Sequence, residues 1–331
     1  MKSLVSKIFA LLICTFTLSA GVAFAQFNSQ LEEKKLPVSE FNIVSVSGDF
    51  EVTVDKGSYE VRITTDQVLA PYVQVYVRSH TLYISYDEKS VPKDIKKQFK
   101  GRKSSDPVFR AVVLVPELNG VLLSDNATLM GTEEFAGSSV SINLSDKAQI
   151  KNLTLKCKNA TLNMKKNAMA ALTIHADDKV DLFTEGNAAL KLTSRTHDMT
   201  LAAEGSSQVA ITGETRGKTT FNLSGSAEVT ANLRGPRVTL QTAGSSELVL
   251  NGEAQNLAVY AERNSEVDAN GFQVRKAEAN LSGSARVNVN VQEELSVIAT
   301  GGSALYYRGT PEIKIGKVIK STLAPFGTSN K

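Results

Sequence analysis

The sequence predicts an all-β protein, a right-handed parallel β-helix of coils of about twenty residues, preceded by an N-terminal β-rich cap. Three observations predict this fold. A column of small residues recurs about every twenty residues from Ala127 onward. A second column recurs in phase with it, and Asn or Ser stands directly before nearly every small residue. Two columns that share one period indicate stacked structural repeats.

The first column combines a small residue with an aliphatic or aromatic residue two places later, with one small exception at Ala170. Its small members are Ala127, Ala148, Ala168, Ala188, Ser207, Ala227, Ser246, Ser265, Ala285 and Ala304. The second column begins at Ala160, Val180, Met199, Thr219, Val238, Ala258, Ala277 and Ser296, each again followed two places later by an apolar residue. This spacing of two is that of residues on one face of a β-strand.

Stacking explains why such coils fold together. A single coil cannot bury its inner face, but neighbouring coils bury it for each other. Parallel strands joined by crossovers are nearly always right-handed, which sets the predicted hand. An antiparallel sandwich is the competing fold, but it predicts no fixed period.

The Asn and Ser residues before the small column are predicted to form a vertical ladder at one corner of the coils. The ladder residues are Asn187, Ser206, Ser226, Ser245, Asn264 and Ser284. Glycine precedes most of them and can adopt positive φ without a Cβ penalty. Four coils carry another residue in place of that glycine, which leaves their corner geometry open: Asp125, Asp146, Lys166 and Arg263.

Residues 1–25 are predicted to be a cleaved signal peptide. Lys2 and Lys7 precede an apolar run that closes on the cleavage pattern 23–25, so Gln26 becomes the mature N-terminus. A transmembrane anchor is the alternative, but the run is short for one and ends in a cleavage motif. We therefore expect an exported protein, located in the periplasm, on the outer cell surface or in the medium, with no transmembrane segment after cleavage.

The remaining chain divides into four predicted parts. Residues 26–40 form a polar linker, 41–118 the N-terminal β-rich part, 119–313 the β-helix and 314–331 a C-terminal tail. A basic insertion, 87–106, interrupts the β-rich part. We interpret it as a solvated short helix docked by Val91, Ile95 and Phe99, and the alternative is a basic patch for an acidic glycan or lipid head group.

Charge and cysteine content exclude several functions. The chain has 37 basic and 34 acidic residues, and loss of Lys2 and Lys7 with the signal brings it closer to neutral, so no nucleic-acid partner is expected. Cys157 is the one cysteine of the mature chain and is predicted to point inward as a small apolar residue. No cofactor or metal motif is found, so neither is predicted.

Several stretches resemble a family described as putative adhesins with a head GIN domain, which are exported Gram-negative envelope proteins of unknown function. The stretches are 41–52 (FNIVSVSGDFEV), the corners 223–227 and 281–285 (LSGSA), and the ending 300–311 (TGGSALYYRGTP). The resemblance covers about 41–313. It implies an adhesin-like protein and supplies no catalytic residues.

An acidic cluster is the best candidate for catalysis or metal binding. Its residues are His175, Asp177, Asp178, Asp181, His197 and Asp198. Paired carboxylates on adjacent coils could cleave a glycosidic bond, although turn-forming aspartates on a solvated face are the favoured interpretation. The chain has no Trp, so platforms for sugar stacking are few.

These observations predict a non-enzymatic envelope or surface protein, adhesin-like, that presents a rigid β-helical face to an unknown envelope, glycan or protein ligand. The alternative is a β-helical polysaccharide lyase or hydrolase that uses the cluster at Asp177–Asp198.

Overall fold

The structure, a computed structural model, describes residues 30–100 and 106–327. In this part of the chain the strands form a β-solenoid of about ten turns, which confirms the predicted all-β helix of stacked coils. The predicted signal peptide and its cleavage site lie outside the described residues. All 22 described strands are joined by backbone hydrogen bonds into one continuous sheet.

Eight short strands and one helix make up the N-terminal part. They are β1 (Leu31–Leu36), β2 (Ile43–Val46), β3 (Glu51–Lys56), β4 (Glu60–Asp66), β5 (Val73–Arg78), β6 (Thr81–Tyr86), α1 (Lys93–Gln98), β7 (Phe109–Val115) and β8 (Gly120–Leu123). Two 3₁₀ turns lie at Ala70–Tyr72 and Glu88–Ser90.

Longer strands build the solenoid. They are β9 (Thr128–Leu144), β10 (Gln149–Met164), β11 (Met169–Thr184), β12 (Ala189–Thr196), β13 (Asp198–Ala203), β14 (Gln208–Thr215), β15 (Lys218–Leu223), β16 (Glu228–Thr242), β17 (Glu247–Ala261), β18 (Glu266–Leu281), β19 (Arg286–Thr300), β20 (Ala304–Arg308), β21 (Glu312–Ile319) and β22 (Thr322–Pro325).

Each coil has two arms that meet at an elbow. In β10 the first arm is 149–157 and the second arm is 159–164, with a register shift at the elbow between them. Both arms pair in parallel with the coil before, β9, and with the coil after, β11. Because side chains alternate along a strand, each arm presents one face to the core and one to solvent.

Small residues line the corner side of the core. Of the predicted small column, the alanines from Ala127 to Ala285 are fully buried, and Ser207, Ser246 and Ser265 are buried as well. Two of these serines hydrogen-bond across the core: Thr184 donates to Ser207 Oγ at 3.2 Å, and Thr242 donates to Ser265 Oγ at 3.1 Å. A buried hydroxyl is tolerated where it finds such a partner, which explains serine at 207 and 265, whereas the buried hydroxyl of Ser246 has no hydrogen-bond partner within the described residues.

The corner of each coil turns on one residue with positive φ. Gly186, Gly205, Gly225, Gly244 and Gly283 take φ between 72° and 80°. The four departures from glycine, Asp125, Asp146, Lys166 and Arg263, adopt the same geometry with φ between 60° and 63°. The corner geometry is therefore common to all these coils, although it is costly for residues with a Cβ.

The predicted ladder residues follow these corners directly and bind the coil below. The amide of Ser206 donates to the carbonyl of Gly186 at 2.7 Å, and that of Ser226 to the carbonyl of Gly205 at 2.7 Å. The same bond recurs from Asn187, Ser245, Asn264 and Ser284. Among the side chains, Asn187 donates to Asn167 Oδ1 at 3.1 Å.

The structure differs from the predicted columns by one residue in three coils. Leu257 and Val259 point inward in place of Ala258 and Tyr260. Leu295 and Val297 point inward in place of Ser296 and Ile298. In the last coil Ser303 and Leu305 are buried, and Ala304 and Tyr306 face outward. In each coil apolar residues occupy both faces, so alternation alone does not determine which face is buried.

The solenoid begins earlier than predicted. Strands β2 and β3 flank the corner at Gly48 and pair in parallel with β8 and β9, so they form the first coil. Beyond them, antiparallel pairs cover the open end: β4 pairs with β7 and β1, and β5 pairs with β6. Part of the predicted linker is therefore the strand β1, whose partner β4 lies too far along the chain for a local pattern to reveal.

The solenoid also ends later than predicted. Strand β21 pairs with β19 and β22 pairs with β20, both in parallel. The segment predicted as a tail therefore contributes a further coil.

The basic insertion contains the short helix α1. Val91 is buried, and Ile95 and Phe99 pack against the core, as the predicted docking face requires. Asp87 caps the preceding 3₁₀ turn by accepting a hydrogen bond from the Ser90 amide. Residues 101–105 of the insertion lie outside the described residues.

Replacement of Ala227 by Arg tests the packing of the core. Ala227 is fully buried, so Ala227→Arg places an unpaired charge in a narrow interior. We expect a loss of about 4 kcal/mol or more in the free energy of unfolding, measured by chemical denaturation. Thr230→Arg, at an outward position of the same strand, is the control and should leave stability nearly unchanged. Equal stability of the two variants would contradict an inward Ala227.

Two adjacent glycines test the register of the last coil. Gly301 has φ +82°, and a Cβ there would lie 2.8 Å from the Gly283 carbonyl oxygen. At Gly302 the nearest atom to such a Cβ is that same oxygen, 3.7 Å away. We expect Gly301→Ala to lower the free energy of unfolding by about 1–2 kcal/mol, and Gly302→Ala to change it little. A larger loss of unfolding free energy for Gly302→Ala than for Gly301→Ala would support the register predicted from the sequence.

Candidate functional site

The acidic cluster lies around the elbow of two neighbouring coils. His175, Asp177 and Asp178 precede the second arm of β11, and Asp181 lies within that arm. His197 separates β12 from β13, and Asp198 begins β13. All six side chains are outside the core, at exposed or half-buried positions.

The charged groups of this cluster are held by separate partners. Asp181 Oδ1 lies 2.9 Å from Lys179 Nζ. Asp198 Oδ1 accepts the backbone N–H of Lys218 at 2.6 Å and lies 3.2 Å from His197 Nδ1. His175 Nδ1 lies 3.6 Å from Glu134 Oε2, which is on β9, two coils earlier.

This arrangement favours a solvated polar surface over a reaction centre. Within the described ranges, no three His, Cys, Asp or Glu side chains are grouped so that they could hold a metal ion. A glycan-cleaving pair needs two carboxyls facing each other across a cleft. Asp181 and Asp198 each engage a different partner, and none of the six residues lines the surface cavities described below.

The elbow carries ion pairs between coils. Arg195 pairs with Glu214 at 3.8 Å, Arg234 with Glu253 at 3.4 Å, and Arg275 with Glu293 at 2.7 Å. These side chains are largely exposed, and exposed ion pairs contribute only about 0–1 kcal/mol each. The elbow is therefore a charged surface whose ion pairs add little to stability.

The outer face of the first arms holds a shallow hollow of about 530 Å³. Its floor contains Met169, Ala171 and Ala210, and its rim includes Lys151 and Glu228. The charges at the rim are of both signs, so the hollow favours no ion of one sign.

A second hollow, of about 510 Å³, lies beside the basic insertion. Its lining includes Tyr86 and Lys96. Burial raises the pKa of the Tyr86 phenol, and the nearby Glu88 carboxylate adds to the rise. Lys96 lies 3.8 Å from Glu88, and Lys97 lies 3.8 Å from Asp94. Acidic neighbours thus offset part of the positive charge that suggested a basic patch.

The outer face of the second arms carries a groove that sequence reasoning missed. Two adjoining cavities, of about 340 and 270 Å³, share Asn163 and Lys165 and together extend from Ser45 to Ala202. Phe183 lies in this groove with 44% of its surface exposed. The signal in the sequence was the residue that follows the second inward position of the second column, which is an amide in several coils: Asn163, Asn222, Gln241 and Asn280.

Comparison with known proteins identifies the family. A model of the family described as "putative auto-transporter adhesin, head GIN domain" matches residues 40–235 and 200–311. The chain belongs to this family. The match includes the corner motifs and the last coil on which the resemblance in the sequence was based. No curated protein matches the chain.

Several solved structures are similar to this chain over most of its length. A protein from Parabacteroides distasonis titled a putative lipid binding protein is 16% identical, with 90% of this chain and 97% of that chain covered and a TM-score of 0.34. A putative adhesin from the same organism is 17% identical, covering 90% and 98%, with a TM-score of 0.37. A putative adhesin from Parabacteroides merdae is 16% identical, covering 90% and 97%, with a TM-score of 0.35.

The described ranges contain no helix whose length and apolar character suffice to cross a bilayer.

Reactivity of Cys157 tests the core next to the acidic cluster. Burial raises the pKa of its thiol to about 11, and the negative charge of Asp177 adds to the rise. The thiolate is the reacting form, so we expect alkylation by iodoacetamide at pH 8 to be more than about 100-fold slower in the folded mature chain than in guanidinium chloride. Comparable rates in both states would contradict a buried Cys157.

Proposed function

We propose that this chain is a non-enzymatic, exported envelope or surface protein that acts as an adhesin, with the outer face of its solenoid as the binding surface. The single observation that carries the proposal is membership of a family described as adhesins across most of the chain. The predicted signal peptide at residues 1–25 supports export.

The architecture supports a binding role. Along the second arms, outward residues are aligned with outward residues of the neighbouring coils. The face is therefore a regular array held by backbone hydrogen bonds. A rigid array of this kind needs little ordering on binding, which lowers the entropic cost of association.

The acidic cluster gives the enzymatic alternative little support. Asp181 and Asp198 engage separate partners, and no carboxylate of the cluster lines the groove on the second arms. We therefore infer that the protein retains its ligand without cleaving it.

A sedimentation assay with isolated bacterial envelope fragments tests the binding role. We expect saturable co-sedimentation of the mature protein, unchanged in an Asp177→Ala/Asp178→Ala variant because both residues lie at the elbow, before the second arm begins. Absence of co-sedimentation would count against an adhesin.

The same two proteins test the absence of catalysis. Incubation with acidic and neutral polysaccharides, with and without calcium, is expected to release no reducing or unsaturated ends. Release by the wild type that disappears in the double variant would establish the enzymatic alternative and overturn the proposal.

A further inference from the structure

One outward column runs along the second arms over nearly the whole solenoid, and we call it the neutral stripe. Its amide members are Asn143, Asn163, Asn222, Gln241 and Asn280. Its apolar and aromatic members are Tyr83, Leu122, Phe183, Ala202, Tyr260 and Ile298. Ser45 lies between Tyr83 and Leu122 in this column and pairs with both. At the usual strand spacing the stripe is roughly 50 Å long.

The neutral stripe contains no charged residue from Tyr83 to Ile298. An outward column on the first arms differs sharply, since Glu228, Glu247, Glu266 and Arg286 occupy successive coils there. A chain with 37 basic and 34 acidic residues has enough charge to cover both faces. The stripe is therefore uncharged over twelve successive positions, whereas this first-arm column is charged over four coils.

The amides of the stripe have unused hydrogen-bonding capacity. Asn163 donates to Asn143 Oδ1 at 2.9 Å, and Asn143 donates to Ser141 Oγ at 3.1 Å. Within the described ranges, the side chains of Asn222, Gln241 and Asn280 have no hydrogen-bond partner. Each of these amides presents both donors and an acceptor to solvent.

Aromatic rings are spaced along the same line. Tyr83 stacks on Tyr76 of the neighbouring strand β5, with ring centroids 5.0 Å apart and planes inclined by 16°. Phe183 and Tyr260 are 44% and 38% exposed. Phe183 stands beside Ala202, whose small side chain leaves one face of the ring open.

A second outward column borders the stripe and adds hydroxyl groups. Thr161, Thr200, Thr220 and Thr239 are its threonines. Asp181 and Glu278 interrupt this column, and Lys179 lies 2.9 Å from the Asp181 carboxylate and balances its charge. A threonine hydroxyl and an amide thus lie side by side on three coils, at Thr161 and Asn163, Thr220 and Asn222, and Thr239 and Gln241, and the rings lie on other coils of the stripe.

This combination selects among partners. A charged polymer would lose hydration without gaining counterions on the stripe, and a lipid surface would leave the amides unpaired. An uncharged polysaccharide avoids both of these costs, because its hydroxyls pair with the amides and its C–H faces pack on the exposed rings. A regular polymer also matches a surface that repeats along the solenoid axis.

We propose that the neutral stripe binds an uncharged polysaccharide whose chain runs along the solenoid axis, across the groove between Ser45 and Ala202 and onward to Tyr260. This assignment rests on the proposed adhesin function and specifies its ligand class and its binding face. Lys165, Glu185 and Glu204 also line the groove, and Lys165 Nζ lies 3.3 Å from Glu185 Oε2, so these two charges offset each other beside the stripe.

Affinity electrophoresis and calorimetry with defined polysaccharides test the assignment. The neutral probes are laminarin, xyloglucan and dextran, and the charged probes are polygalacturonate and heparin. We expect the mature protein to bind at least one neutral probe and to bind the charged probes at least tenfold more weakly.

Asn222→Glu places one carboxylate in the middle of the neutral stripe and is expected to weaken binding of the neutral probe at least tenfold. Thr230→Glu adds the same charge at an outward first-arm position between Ala210 and Val249 and serves as the matched control, with unchanged binding. Phe183→Ala should also weaken binding, without loss of thermal stability, since the ring is exposed.

Three results would overturn the assignment: no binding of any neutral probe, equal binding of charged probes, or equal affinity of the Asn222→Glu and Thr230→Glu variants. Binding to phosphatidylcholine vesicles, or self-association that Asn222→Glu abolishes, would assign the stripe to another partner. Envelope co-sedimentation that persists in Asn222→Glu would retain the adhesin function and reject only this face.

Discussion

The backbone hydrogen bond at the corner is the constraint on which the rest of the structure depends. In each coil one residue adopts positive φ, and the amide of the next residue reaches the carbonyl of the equivalent corner in the coil below, at 2.6–3.0 Å. This bond sets the register between coils. Once the register is set, small residues stack on small residues in the core, and every outward position becomes a column.

The same constraint explains which residues the corner accepts. A Cβ at Gly205 would lie 2.9 Å from the carbonyl oxygen of Gly186, so glycine on glycine allows the closest stacking. Asp146 and Lys166 occupy adjacent corners without glycine, and their side chains form an ion pair. The Lys166 ammonium and the Ser145 hydroxyl lower the pKa of Asp146. Opposite charges on neighbouring coils thus accompany a backbone conformation that neither side chain favours.

The sequence predicts the repeat well because the repeat is local. Small residues, their apolar partners and the corner glycines recur at one period, and the period alone implies stacking. It predicts the register poorly wherever both faces of an arm are apolar, as at Leu257–Ala261 and at Ser303–Tyr307. There the pairing with the preceding coil decides which residues are buried, and a single coil carries no information about that pairing. Strand β1 was missed for a related reason, since β4 supplies its hydrogen bonds.

The arrangement of the candidate sites likewise depends on pairing between coils, which a single coil does not reveal. Proximity in sequence suggested that Asp177, Asp181 and Asp198 could converge, but Asp181 and Asp198 engage different partners, Lys179 for the first and His197 with the Lys218 amide for the second. The neutral stripe could have been found from the sequence only by aligning the coils in their true register. Its members are far apart along the chain and become neighbours only through the pairing of successive strands.

Stacking of coils in series also determines how the molecule responds to mechanical load. The hydrogen bonds between coils run along the solenoid axis, so a force applied to the two ends is carried by every coil interface in turn. The terminal coil has one neighbour and yields first, releasing about twenty residues, or roughly 65–70 Å of extended chain, while the next interface remains intact. A protein built in this way dissipates mechanical work in discrete steps, and under shear its chain lengthens before it detaches.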